Sequence, residues 1–372
     1  MKKNLIMICI DGCRFDRAEK SFIYKEYMPG TNFCSQSITY APYTNSSLHA
    51  VFSGAYGNRN GCYSYWHSLK FKKENFKTIT KYLHEENFFT KGDIHSKLAL
   101  PLSDFDELEI YDESESDLID RHKKIIKEIK GKCENKENFF LYLHYEKIHT
   151  GLMNYVLRPY TNFSLEYFEN IEKNQNTYDD LFKKSEIYLK NILDEINKQN
   201  LSNNTLIIIF SDHGTSLGEK IGERAYGSFC YDYTIRTFVS FIHPKFEKNI
   251  INQQVRHIDI LPTILDIFKI PFDNSFLNFD GESLLPLFTG KEIPEKIAYI
   301  ETGNPLNEQS PPKKPNTKCV RTSKWKLIFN EYNNSFELYD LQKDPYEKNN
   351  LHDKNLDIEK ILYENLLKLD QL

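Results

Sequence analysis

No apolar run in this 372-residue chain approaches the roughly eighteen residues that a membrane-crossing helix needs. Its start, Met1-Lys2-Lys3 followed by Leu5–Ile10, has the outline of a signal peptide. Asp11 interrupts the run, however, and no small-residue cleavage site follows. Seven cysteines occur without one C-x-x-C pair, so buried free thiols in a reducing compartment are expected. Positive charge is not in excess: the net charge is -5 and the pI near 6.2. That balance lacks the basic signature of a nucleic-acid binder. No internal repeat is visible. These absences predict a cytoplasmic protein with no transmembrane segment and no nucleic-acid partner, and leave its oligomeric state open.

What is present is an alternation of strand-like and helix-like segments. Leu5–Ile10, Phe88–Thr90, Phe139–Leu143, Leu206–Phe210 and Phe238–Ile242 read as buried strands. Helical spacing runs through 77–86, 116–130, 179–199 and 259–268, with Pro262 in the first turn of the last, where proline is tolerated. The alternation predicts an α/β three-layer sandwich around a mainly parallel sheet. Near 290–315 a proline-rich polar stretch intervenes. Beyond it, Lys324–Phe329 and Phe336–Asp340 flank the turn signal Tyr332-Asn333-Asn334, and an amphipathic helix closes the chain over 356–369. Residues 1–300 are expected to form the large domain, and 301–372 a small antiparallel unit with a terminal helix.

Two apolar strands end in aspartate. Leu5–Ile10 runs into Asp11-Gly12, and Leu206–Phe210 into Ser211-Asp212-His213-Gly214. In open α/β sheets the carboxyl ends of strands are where sites assemble. Two carboxylates and an imidazole there suit a divalent metal, whereas either aspartate alone reads equally well as turn chemistry. The hydroxyl-rich cluster Thr44-Asn45-Ser46-Ser47 precedes Leu48, Val51 and Phe52 at helical spacing. Thr44 therefore stands at a helix N-terminus, as an N-cap or as a nucleophile activated by a metal and the helix end.

These segments resemble, in order and almost end to end, the sulfatase branch of the alkaline phosphatase superfamily. The resemblance rests on Asp11-Gly12-Cys13-Arg14, Leu143 to Thr150, Ser211 to Glu219, Tyr231 to Arg236, His257 to Thr263, Asp280 to Leu284, and Glu337 to Leu341 with Asp344-Pro345. It implies one divalent ion (Mn, Mg, Ca or Zn) bound by Asp11, Thr44, Asp212 and His213. It implies Thr44 as nucleophile and His149 as a residue lining the substrate oxygen or protonating the leaving group. Arg14, Asn45, Glu146 and His257 are the candidate substrate contacts, and Arg236 a further anion clamp. His144 reads as structural, and His49, His84 and His95 carry no motif.

The departures from the family matter as much. Sulfatases make formylglycine from Cys or Ser in a C/S-x-P-S-R motif. Here Thr44 stands at the nucleophile position and Leu48 where the arginine belongs, and threonine cannot become formylglycine. Gly12 replaces the second of the family's two early aspartates. Thr44 with Asp, Asp and His resembles the family's phosphodiesterases and phosphotransferases. A metal-dependent hydrolase or transferase of phosphate or sulfate esters is therefore expected, phosphoester favoured, acting on a small molecule, glycan or headgroup. The alternatives are an inactive member that binds anionic glycans or headgroups, or a sulfuric ester hydrolase lacking the formylglycine motif.

Overall fold

A computed structural model describes residues 3–113, 117–134, 138–153, 165–223, 225–306, 312–354 and 356–372, the side chains of 132–134 excepted. The expected helix start at Ser116 and the proline pair's first member, Pro311, lie outside the described residues.

The apolar runs form the middle of a nine-stranded sheet. Its strands are β1 (Asn4–Ile10), β2 (Thr31–Ile38), β3 (Phe88–Ile94), β4 (Glu107–Ile110), β5 (Asn138–Tyr145), β6 (Thr205–Phe210), β7 (Arg236–Ile242), β8 (Asn249–Ile251) and β9 (Val255–Arg256). They are ordered β4-β3-β5-β1-β6-β7-β2-β8, with β9 paired to β2. From β4 to β6 every pairing is parallel. β7 is antiparallel to both β6 and β2, so β2 points the same way as β1. The turn after β2 therefore delivers Thr44 to the sheet edge where Asp11 emerges.

Alternation along the central strands separates two cores. Ile6, Ile8 and Ile10 pack on one face with residues of the helices Leu118–Glu134 and Ile171–Lys198. Leu5, Met7 and Cys9 pack on the other with the helices Thr44–Ser53, Ile79–Glu85 and Ile260–Phe268. Each such buried side chain contributes about 1.5–3 kcal/mol. The result is the three-layer α/β sandwich anticipated from the pattern.

Differences lie where polar residues are buried. Strand β3 extends four residues past Thr90, through Lys91-Gly92-Asp93-Ile94. Lys91 is neutralised by Glu107, Glu109 and Glu128, and Asp93 by Arg121 and His122, so neither breaks the strand. The long helix begins at Ile171 rather than Asp179. Its polar first turns are anchored by Asn174, whose amide donates to Tyr167 and Leu217 carbonyls.

Strands β10 (Ala298–Thr302), β11 (Thr317–Arg321), β12 (Trp325–Asn330) and β13 (Ser335–Asp340) form an antiparallel sheet in chain order. It begins two residues before position 300. The terminal helix Asp357–Asp370 packs Leu362 and Leu366 against Val320, Leu327 and Leu338. Arg321 and Lys326, both buried, reach across to Asp232, and Lys326 also to Glu347. The cysteines Cys9, Cys13, Cys34, Cys62, Cys230 and Cys319 are buried and unpaired. Among the described residues no helix is long and apolar enough to cross a membrane.

Candidate active site

The strand register explains how the carboxylates meet. Cys9 lies opposite His144 on β5 and Phe210 on β6. Two positions beyond each stand Asp11, Glu146 and Asp212, at one edge of three adjacent strands. Asp11 and Asp212 are fully buried. The Gly12 N–H donates to Asp212 Oδ1 at 3.2 Å, and the His213 N–H donates to the same oxygen at 3.0 Å.

Thr44 closes the group from the opposite side. It is the first residue of its helix, and the extended cap residue is Tyr43. The hydroxyl thus does not cap the helix. It donates to Asp11 Oδ2 at 3.3 Å and stands 3.4 Å from His213 Nε2. His213 Nε2 is 3.5 Å from Asp11 Oδ1 and 3.7 Å from Asp212 Oδ2. Its Nδ1 lies 2.7 Å from the Gly214 carbonyl, which fixes Nδ1 as the protonated nitrogen and turns the Nε2 lone pair inward.

Asp11 Oδ1 and Asp212 Oδ2 are buried without a hydrogen-bond donor. Two carboxylate oxygens left bare beside an inward imidazole lone pair and a hydroxyl make a donor set that a divalent cation fits. The two acids respond oppositely to sharing one site. Burial works to raise both; on Asp11 the imidazoles of His149, His144 and His213 prevail and hold it well below the carboxylate range. Asp212 is raised by burial and by the charge of Asp11.

His149 stands with this group. Its Nδ1 lies 3.4 Å from Asp11 Oδ1, and its Nε2 is 3.2 Å from the Tyr226 hydroxyl. Burial would lower its pKa, but Asp11 outweighs it and lifts the ring to about 9. Tyr226 also lies against the His213 ring, with centroids 4.7 Å apart, and Tyr65 stacks on Tyr43 at 4.4 Å. Aromatic rings therefore wall the site.

The other candidates make their hydrogen bonds and ion pairs to groups other than the Asp11 and Asp212 carboxylates. Arg14 uses its guanidinium on Asp16, Glu219 and the Thr215 carbonyl. With Arg236 it lines a cavity of about 780 Å³ to which none of Asp11, Thr44, Asp212 and His213 contributes. Asn45, beside Thr44, donates to Ser68 at 2.7 Å. Glu146 is buried against the Tyr111 hydroxyl and paired with Lys147. His257 lies one layer beneath, 2.7 Å from the Thr237 hydroxyl and 3.4 Å from Ser47 Oγ. Ser47 in turn donates to the Asp212 carbonyl at 2.7 Å. Burial lowers His257 to about 3, so it is a neutral support for the helix start.

Two other histidines come to the site instead: His144, read as structural, and His95, which carries no motif. His144 Nε2 is 3.2 Å from Asp11 Oδ2, and the His95 ring centroid is 4.4 Å from that of His144. The signal for His144 was its place at a strand's carboxyl end, the same signal that marked Asp11 and Asp212; for His95 it was hidden, because the apolar run stops at Thr90 and polar residues carry the strand on to Ile94. Tyr226 had none, because it arrives on a long loop.

A family model described as Sulfatase matches residues 21–270. The chain belongs to the sulfatase family. A second model, N-sulphoglucosamine sulphohydrolase, C-terminal, matches residues 225–371. A choline-sulfatase of Rhizobium meliloti (strain 1021) is 25% identical over 196 residues, which is 52% of this chain and 35% of that protein. The chain spans about a third of the length of the curated relatives it matches. Solved structures share the fold over nearly the full length of both chains. One, in complex with its substrate D-glucosamine-2-N,6-O-disulfate, has a TM-score of 0.76 at 15% identity, covering 100% of this chain and 98% of its own. The phosphonate monoester hydrolase of Agrobacterium radiobacter has a TM-score of 0.74 at 14% identity, covering 99% and 95%.

Proposed function

We propose that this sulfatase-family chain is a metal-dependent ester hydrolase or transferase that favours phosphoesters and works through a covalent Thr44 intermediate. The observation that carries the reading is the Thr44 hydroxyl, 3.3 Å from Asp11 Oδ2 and 3.4 Å from His213 Nε2. Asp11, Asp212, His213 and Thr44 would hold one divalent ion. Such an ion supplies charge neutralisation at the phosphoryl oxygens and a lowered hydroxyl pKa.

The chain's own groups account for the remaining steps. Thr44 Oγ1 gives its proton to Asp11 Oδ2 and attacks phosphorus. The bond to the leaving oxygen breaks as His149, held protonated by Asp11, delivers a proton to that oxygen. Water or an acceptor hydroxyl then attacks the phospho-threonine in line, giving its proton to His149; the bond from phosphorus to Thr44 Oγ1 breaks, and Oγ1 takes back the proton held on Asp11 Oδ2. Free N–H groups of the first turn of Thr44–Ser53 face the anionic ester. A small-molecule, glycan or headgroup ester is the proposed substrate class. The buried unpaired cysteines support a reducing, cytoplasmic setting.

Sulfate-ester hydrolysis is the second reading, favoured by the sulfated substrate of the structural neighbour. One experiment separates the two: kcat/KM for matched aryl phosphoesters and aryl sulfate, with mass spectrometry of the Thr44 peptide. Phosphoester turnover above sulfate turnover, with a trapped phospho-threonine, is expected. A faster sulfatase rate on unmodified Thr44 would overturn the phosphoester reading, because a sulfated threonine lacks the geminal hydroxyl that expels sulfate.

A further inference from the structure

Three adjacent parallel strands, β3, β5 and β1, each bring a ligand-type side chain to the same edge. His95 directly follows β3, His144 is the penultimate residue of β5, and Asp11 directly follows β1. One donor atom from each lies within 4.8 Å of the other two. We propose that His95, His144 and the shared carboxylate of Asp11 hold a second divalent ion of borderline first-row type, zinc or manganese. The inference rests on the reading above, in which Asp11 already serves a first ion.

Ordinary hydrogen bonding explains only part of this cluster. A His144 Nε2–H donating to Asp11 Oδ2 at 3.2 Å satisfies that pair. His95 is left over: its side chain is only 9% exposed, and its Nδ1 is buried with no hydrogen-bond partner. A buried polar atom without a partner is destabilising, and the other ring nitrogen, Nε2, has only a long contact of 3.9 Å to Glu113 Oε1. A bound cation explains both rings at once. Two imidazoles and a carboxylate, with further positions open, are a recurrent zinc donor set.

Two further features suit a shared carboxylate. The Asp11 oxygens divide their neighbours: Oδ1 faces His149 and His213, and Oδ2 faces His144 and Thr44. The Tyr142 hydroxyl, 3.0 Å from His144 Nδ1, orients that ring with Nε2 toward Asp11, as neighbours of metal-bound histidines commonly do. Paired ions of this kind steady both the attacking and the leaving oxygen of an in-line displacement, which matches phosphoester transfer.

The test is metal stoichiometry. The full chain is stripped with a chelator, reloaded separately with zinc and with manganese, desalted and assayed by plasma mass spectrometry. With at least one of these ions, two per wild-type chain are expected, one in His95→Gln, and one in Asp212→Asn, with circular dichroism confirming that each variant is folded. One ion in the wild type, which needs no variant to read, overturns the proposal. If that single ion is retained by His95→Gln and lost by Asp212→Asn, the first site stands while the second falls. No bound ion at all overturns both.

Discussion

Thr44 occupies the position where most helices present a capping or solvent-facing side chain, yet its hydroxyl is turned onto a buried acid and a buried imidazole. The cap role belongs to Tyr43, whose side chain makes no capping bond. Removing the hydroxyl should therefore cost the helix well under about 1 kcal/mol, the usual price of losing a true cap. Catalysis should suffer far more. Thr44→Ala is expected to lower turnover by roughly 10³-fold or more while folding and metal binding, carried mainly by Asp11, Asp212 and His213, stay largely intact. Full activity in that variant would move the chemistry to Ser46, Ser47 or water. Asp212→Asn should act differently, weakening metal affinity by roughly tenfold or more, read by titration with a competing chelator. Full metal affinity there would remove Asp212 from the ligand set.

At the scale of elements, the turn after β1 explains a departure from the family pattern. Gly12, which stands where the family carries a second aspartate, has φ of +72°. A Cβ built there would lie 3.1 Å from Thr215 Oγ1, which donates to the Gly12 carbonyl at 2.8 Å. The backbone at this position is committed to holding the Asp212 loop against β1. Gly12→Asp should therefore destabilise the chain by about 1 kcal/mol or more through left-handed strain and displacement of Thr215, measured by urea unfolding. It should not restore a working pair of early aspartates. A variant as stable as the parent would show that the loop adapts. The motif reading identified the missing aspartate, but not that the local conformation disfavours any side chain there.

At the scale of the molecule, the small sheet is tied to the large one through buried polar groups whose protonation matters. Glu301 on β10 accepts from the Tyr40 hydroxyl, beyond β2, and from Tyr299 at 3.0 Å. Burial raises its pKa from 4.5 to about 7, although both tyrosines and Lys318 lower it and Asp370 raises it further. The folded chain therefore keeps a proton that the unfolded chain releases above pH 4.5. Its contribution is full below that pH and is lost as pH rises toward 7, since the folded state binds more protons through this window. Glu301→Gln, neutral throughout, should make stability fall less steeply across it, checked by melting temperature at successive pH values. An unchanged slope would show that Glu301 ionises normally.

The sequence by itself determined the layers and the strand ends at which the two aspartates stand. Apolar runs of strand length can only be buried in a sheet covered on both faces, and their ends place Asp11, Asp212 and His213 at one edge whatever the loops do. It also determined that Thr44 opens a helix. Tertiary structure alone decided which other side chains share that edge. Strand order put His95 and His144 beside Asp11 and turned Arg14 toward a different cavity. Packing set His257 beneath the site, and a long loop laid Tyr226 over His149. Strand order, loop path and the pairing of buried charges arise from contacts between residues distant in the chain, so no local pattern of residues encodes them.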